Sequence, residues 1–241
     1  MKITDLAAVA KITKEHGFKM VVDNTFAPPP IQFPLKLGAD VVVHSATKYL
    51  NGHGDVIFGA IIGGMEDIIE IKTLGATHLS GATPGPFESY LVLRGMKTLD
   101  LRVRKHCENA LEVSKYLKDH KHIKAVYYPG LEDHPGHEIS KEQMNGLYTG
   151  MVSFELKDDI NGLSSFEAGV KLLNNLKMVA IAVSLGDPDS LIQHPASMTH
   201  LCMTPEERKE AGISDGLIRF SVGLENIEDI INDLSDALDS I

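Results

Sequence analysis

Short apolar runs alternate with longer stretches of helical spacing along the first hundred residues. Leu6, Val9, Ala10 and Thr13 share one helical face, and Gly17 is a C-terminal stop. Thr4 is expected to cap this helix, with Asp5 at its first position where a carboxylate suits the helix dipole. Phe18 to Val22 predicts a buried strand that ends on Asp23, Asn24 and Thr25. Pro28, Pro29 and Pro30 forbid regular structure and hold an extended loop. A short helical piece is predicted over Phe33 to Leu37, ended by Gly38. Val41, Val42 and Val43 form a β-branched run too short for a helix, which fits a parallel strand covered on both faces. The order helix, strand, connection, strand implies a parallel sheet with crossovers. Such a sheet rarely opens on a crossover helix, so further strands are expected upstream of Met1.

Asn51 to Gly54 predicts a flexible turn, Phe58 to Ile62 a third strand closed by Gly63 and Gly64, and Met65 to Thr73 a helix. Gly75 to Gly85 reads as loop. From Pro86 to His120 one long helical pattern runs through Leu91, Met96, Leu99, Val103, Cys107, Ala110, Leu111 and Leu117, with Gly95 a candidate break. Such a helix could link two domains. After it the pattern predicts strands at Ile123 to Tyr128, Met151 to Leu156, Val179 to Leu185 and Leu217 to Val222. Helices are predicted at Ser164 to Asn175, Thr204 to Ala211 and Asn226 to Leu238. Thr204, Pro205 and Glu207 carry a capping-box signature. The expected organisation is α/β: part of a large sheet domain over residues 1–100, then a linking helix and a smaller α+β domain over 101–241.

Composition narrows the partners. With 241 residues, 43% hydrophobic and 23% charged, the chain is of globular type. A net charge of −10 and no basic stripe argue against nucleic acid or an anionic membrane as the main partner. No apolar run approaches a membrane span, and Met1 leads into the first helix without an apolar leader or cleavage site. Two cysteines, Cys107 and Cys202, fit free thiols in a reducing cytoplasm.

The candidate chemistry gathers where the strands end, because ligands of open α/β sheets sit outside the carboxyl ends of strands. A lone lysine after a strand is usually solvated, but Lys48 follows Ser45 and Thr47 at such an end, with Asp23 on the same expected rim. An amine nucleophile that links to pyridoxal 5′-phosphate (PLP) needs a carboxylate opposite the pyridine nitrogen, which keeps that nitrogen protonated. Asp23 suits that role, Ser45 and Thr47 suit a phosphate, and Thr25 suits positioning Asp23 or meeting the ring. Taken singly, Asp23 reads first as a turn-forming residue. Arg219 lies inside an apolar strand, where a guanidinium demands a carboxylate. A structural Asp or Glu is the slightly favoured partner and a substrate carboxylate the alternative. Ser184 and its neighbours could bond the same carboxylate. His134 with His137, and His194 with His200, lack further ligands for a metal and read as loop histidines. No P-loop, G-x-G-x-x-G, H-E-x-x-H or G-x-S-x-G pattern occurs.

Six stretches agree with one family. Val21 to Phe26, His44 to Tyr49 with Asn51 to His53, Arg94 to Leu99, Ser184 to Gly186, His194 to His200 and Gly212 to Glu225 together resemble the Cys/Met-metabolism branch of PLP enzymes, in the family's order. The resemblance implies an aspartate-aminotransferase-like (type I) fold. It implies that Lys48 bonds the cofactor, Asp23 faces its ring nitrogen, and Ser45 and Thr47 bind its phosphate. Ser184 and Arg219 then hold the substrate carboxylate, while Met198, Val183 and Leu185 border the side-chain pocket. Cystathionine γ-lyases typically carry Glu where Val183 stands. Val183 suits an S-methyl group, and the run from Gln193 to His200 resembles methionine γ-lyases. The activity implied is α,γ-elimination of L-methionine to methanethiol, ammonia and 2-oxobutanoate. Cystathionine, homocysteine or acylhomoserine chemistry is the alternative. The family's N-terminal portion is not in this sequence, and neither cysteine matches the active-site Cys of methionine γ-lyases. A dimer-based tetramer, pairing with a chain that bears the N-terminal portion, or a non-catalytic partner subunit are the assemblies expected.

Overall fold

A computed structural model describes residues 1–241. The first helix, α1 (Leu6–Glu15), is capped by Asp5 rather than Thr4: the Asp5 carboxylate accepts from Ala8 N at 2.9 Å. That carboxylate meets the positive helix end directly and satisfies an orphan N–H. A three-stranded sheet follows, β1 (Val21–Asp23), β2 (Val41–Ser45) and β3 (Gly59–Gly63), in the order β1-β2-β3. β1 and β2 are parallel, but β3 is antiparallel to β2. The 46–58 connection turns straight back, and no crossover helix lies in it.

Only β2 is buried as expected. β1 is an edge strand three residues long, with Val21 60% exposed, and β3 exposes Ile61 and Ile62. Burial of β1 was expected because its residues are apolar. It is not met because β1 pairs only with β2.

α2 (Met65–Ile71) runs on into a π-helical stretch, Lys72–Ser80, which carries helical structure past Thr73 into the part from Gly75 where the sequence suggested loop. The long pattern after Pro86 is two helices, α3 (Pro86–Met96) and α4 (Leu99–Asp119). The break falls at Lys97 and Thr98, two residues after Gly95. A Cβ on Gly95 would collide with the Asn51 backbone, so this junction is pressed onto the segment that follows Lys48.

The second sheet comprises β4 (Ile123–Tyr127), β5 (Met151–Leu156), β8 (Ala180–Ile181), β9 (Leu191–Gln193) and β10 (Leu217–Ser221). Its order is β4-β5-β10-β9-β8. Between its strands lie α5 (His137–Gln143), the hairpin β6 (Asp159–Ile160) and β7 (Leu163–Ser164), α6 (Ser165–Asn175) and α7 (Pro205–Glu210). The chain closes on α8 (Ile227–Asp239). Thr204 and Glu207 form the expected capping box, and Ser164 with Glu167 forms another. The predicted strand over Val179 to Leu185 shrinks to β8, because the chain then leaves the sheet to make the turn that holds Ser184. α5 and β9 were not anticipated.

α4 and α6 pack against this sheet, and α8 packs against both helices. Between them lies a core of 23 residues, among them the fully buried Phe154, Phe220, Ile218, Leu172 and Leu234. A second cluster of 13 gathers Tyr49, Ala46, Leu50, Val92, Leu185 and the first turns of α4. α4 therefore belongs to both: Leu99, Val103 and Cys107 lie under the Lys48 turn, and Ala110, Val113 and Leu117 lie under the second sheet. No helix is long and apolar enough to cross a membrane.

Candidate active site

The turn after β2 is fixed from below. Ala46, Tyr49 and Leu50 are buried, which leaves the side chain of Lys48 to face outward. Arg102 of α4 clamps the backbone just beyond. It donates to Tyr49 O at 2.9 Å, Gly95 O at 2.9 Å and Thr98 Oγ1 at 3.0 Å. No carboxylate pairs with this guanidinium, and burial lowers its pKa from the ordinary value. Four neutral acceptors, Leu50 O at 3.5 Å among them, carry the charge instead.

Lys48 Nζ donates to Ser184 Oγ at 2.8 Å, across 136 positions of sequence, and has no carboxylate partner. The Ser184 turn is itself locked against the Lys48 turn. Gly186 has φ +76°, donates from its N–H to Ser221 Oγ at 3.0 Å, and a Cβ there would lie 2.8 Å from Tyr49 N. Asp187 follows. Burial pushes its carboxyl up, the Lys48 charge opposes that, and its Oδ1 has no partner.

Asp23 closes β1 next to the end of β2. Its Oδ1 accepts from Thr25 Oγ1 at 2.6 Å and Thr25 N at 3.0 Å, while Ser45 N donates to Thr25 Oγ1 at 2.8 Å. Thr25 thus fixes the carboxylate and ties the two strand ends together, and Asp23 Oδ2 stays free of protein partners. Asp23 itself is exposed, not buried as the sequence suggested, because it stands at the edge strand's end. The Ser45 hydroxyl has no protein partner. Thr47 Oγ1 is engaged: it accepts from Phe58 N at 2.9 Å and bonds Phe58 O at 3.4 Å.

Arg219 overturns the slightly favoured reading of its sequence context. No Asp or Glu lies within ion-pair distance. Its Nη1 donates to Val183 O at 3.2 Å, and its guanidinium lies 5.5 Å from the centroid of the Phe26 ring. Burial lowers its pKa. The register sets it opposite Ser153 and Gln193, on the face away from Ile218 and Phe220. Gln193 is buried, and its Oε1 has no partner. The cations Lys48 and Arg219 therefore touch consecutive residues, Ser184 and Val183, and neither has a carboxylate within ion-pair distance.

Val183 is 54% exposed. Met198 is half-buried against the second-sheet core, and Leu185 turns its side chain into the cluster beneath Tyr49, leaving only backbone for a ligand. His134 and His137 bond Met1 O and Pro129 O, and His194 bonds Ser197 and Asp215 O. Phe26, Arg102, Asp187 and Gln193 escaped the sequence reading. Arg102 carried a legible signal, since helical spacing sets it on the same stripe as Leu99, Val103 and His106.

A family model for Cys/Met metabolism PLP-dependent enzymes matches residues 1–239. The chain belongs to this family. An L-methionine γ-lyase of Fusobacterium nucleatum subsp. polymorphum is 55% identical over 242 residues, covering all of this chain and 60% of that protein. A cystathionine γ-lyase of Dictyostelium discoideum is 46% identical over 239 residues, 99% of this chain and 60% of its own length. The crystal structure of cystathionine γ-lyase from Lactobacillus plantarum, complexed with L-serine, superposes with a TM-score of 0.90 at 42% identity. It covers 100% of this chain, which covers 61% of it. The fold is thus that of the type I PLP enzymes, and the chain spans about 60% of the length of the relatives it matches. The family's cofactor is PLP, and the residues present fit it. An amine bonded only to a hydroxyl suits its aldehyde, a carboxylate with one free oxygen suits a protonated pyridine, and the unpartnered Ser45 hydroxyl suits its phosphate.

Proposed function

We propose that this chain carries the lysine-bearing part of a PLP-dependent carbon–sulfur lyase acting on L-methionine. The observation that carries the reading is the pair of unpaired cations, Lys48 and Arg219, on adjoining residues of one turn. When bound, PLP supplies a ring that accepts the charge left at Cα as its proton departs. Lys48, Asp23, Thr25, Ser45 and Thr47 would hold it. Arg219 is free to take an α-carboxylate, since only a carbonyl and an aromatic face hold it. Ser184 keeps the Lys48 amine in place, and that amine is the group able to accept the Cα proton and carry it. With water, methionine yields methanethiol, ammonia and 2-oxobutanoate.

Val183 supports methionine over a substrate with a distal charge, as it exposes an apolar surface where a distal ammonium would find no partner. Relatives at 55% and 46% identity bear the methionine γ-lyase and cystathionine γ-lyase names respectively. As its assembly we propose a dimer-based tetramer, or pairing with a chain that supplies the N-terminal portion.

The test is reduction with borohydride in the presence of PLP, followed by mass mapping. A pyridoxyl label on Lys48, lost in Lys48→Ala, is expected. A label that persists at the same stoichiometry in Lys48→Ala sinks the assignment. Turnover of methionine against cystathionine then decides the substrate: methionine is expected to be favoured, and Val183→Glu is expected to shift the ratio toward cystathionine by about tenfold or more.

A further inference from the structure

The guanidinium of Arg219 is held from one side by a residue of the other half of the molecule, Phe26. Phe26 follows directly on Thr25 in a loop, residues 24–32, that contains no strand and no α-helix. What fixes this loop comes from the small domain. Thr149 Oγ1 donates to Phe26 O at 2.8 Å, Asn145 Nδ2 donates to Pro30 O at 3.1 Å and Ile31 O at 3.2 Å, and Gln143 Nε2 donates to Gln32 Oε1 at 2.8 Å. Gln32 passes the contact on to Asn24, beside Asp23, through Nε2 to Oδ1 at 2.8 Å.

The gripping segment is itself over-determined. Asn145 and Tyr148 adopt φ +52° and +62°, a left-handed region that residues other than glycine rarely occupy. Tyr148 does so while stacked on His137, and Thr149 O accepts from the fully buried Tyr128 hydroxyl at 2.9 Å. A loop anchored in the core of one half thus aims its polar groups at the backbone of the other.

We propose that residues 143–149 form a positioning clamp for the carboxylate site. They hold the 24–32 loop so that the ring of Phe26 fixes the plane of the Arg219 guanidinium. A guanidinium bonds a carboxylate through two parallel N–H groups, so its plane decides the geometry. Val183 O engages only one of its nitrogens and leaves the plane free to rotate about that bond. Phe26 and Thr149 are positioning residues, and the inference rests on the reading of Arg219 as the carboxylate site.

The experiment is calorimetric titration of the PLP-loaded protein with norleucine, which has the α-carboxylate and no γ leaving group, and with norleucinamide, which lacks the carboxylate charge. The ratio of the two affinities reads the carboxylate contact alone, and a general loss of stability does not move it. Phe26→Leu and Thr149→Val are each expected to lower the norleucine preference roughly three- to tenfold, the range of a partly desolvated cation–π contact. Thr149→Ser, which keeps the hydroxyl, is expected to restore it. If Arg219→Lys cuts the preference while Phe26→Leu and Thr149→Val leave it at the parental value, the clamp is refuted and the site stands. A parent protein with no preference, or one whose preference survives Arg219→Lys, refutes the carboxylate reading and the clamp with it. Labelling of Lys48 by borohydride is expected to remain in both positioning variants; its loss in both would mean that the loop serves the cofactor side instead, and would also overturn the proposal.

Discussion

Two regions of this chain position functional residues by different means. The second sheet rests on a core of 23 buried side chains, to which α4, α6 and α8 contribute. Arg219 projects from a strand whose alternate residues, Ile218 and Phe220, are fully buried. The first sheet has no comparable core. Beyond the cluster beneath the Lys48 turn, it has four buried residues around α1, and Val21, Ile57, Ile61 and Ile62 stand exposed. Asp23 is placed there by its local bonds to Thr25, and Lys48 by the buried turn beneath it together with two elements distant in sequence, Arg102 and the Ser184 turn. One region holds its site by a large shared core, the other by a small cluster under one turn supplemented with polar ties, local at Asp23 and long-range at Lys48.

The largest expected effect follows from that contrast. Phe154→Ala removes a fully buried ring from the middle of the second sheet and is expected to cost about 3–5 kcal/mol, through lost transfer energy and the cavity left behind. Ile61→Ala, on a strand 46% exposed at that residue, is expected to cost less than about 1 kcal/mol. Chemical denaturation of the two variants measures both. Equal losses would break the comparison, by showing that the first sheet is supported as strongly as the second.

Arg102 sharpens it. Arg102→Met keeps much of the side-chain volume and removes the donors to Tyr49 O, Gly95 O and Thr98 Oγ1. Tyr49 O is left unpaired, while Gly95 O keeps the Thr98 N–H and hydroxyl, and a loss of about 2 kcal/mol is expected. The same substitution is expected to slow borohydride labelling of Lys48, because the clamp holds the backbone one residue beyond it. A full stability loss with unaltered labelling would show that Arg102 secures the helix junction and not the lysine.

The same division governs what could be read without coordinates. β2, β5, β10, α6, α7 and α8 were legible, since their apolar periods and caps are local and the second-sheet core rewards them. β1 was misjudged: apolar residues were equated with burial, whereas burial depends on what lies alongside. α3 and α4 read as one pattern with Gly95 only a candidate break, because the Asn51 backbone that presses on Gly95 lies more than 40 positions away in sequence. Lys48, Asp23 and Arg219 stood out through residue type and strand end. Phe26, Gln193 and Asp187 did not, because nothing in an aromatic, an amide or a loop carboxylate announces which cation it will face.

A pH dependence, small until well below neutral, acts at the joint between the regions. His106 of α4 is fully buried, edge-on to Tyr49 at 5.2 Å, with Nδ1 bonded to Val222 O at 2.7 Å and Nε2 unpartnered. Burial pulls its pKa down from 6.5 to about 4. Since the folded pKa is depressed, the unfolded chain binds a proton that the folded chain refuses between these values. Stability from this residue is therefore whole above pH 6.5 and drains as pH falls toward about 4. One pH unit into that window the loss is about 1.4 kcal/mol, and over the whole window on the order of 3 kcal/mol. His106→Gln, which has no titrating group, is expected to flatten the slope of unfolding free energy between pH 6.5 and 4 by about one proton. An unchanged slope would mean that His106 is protonated in the folded chain, with Nε2 finding an acceptor. The joint between Tyr49 and α4 would then be a polar tie of the first region's kind, not an extension of the second region's packing.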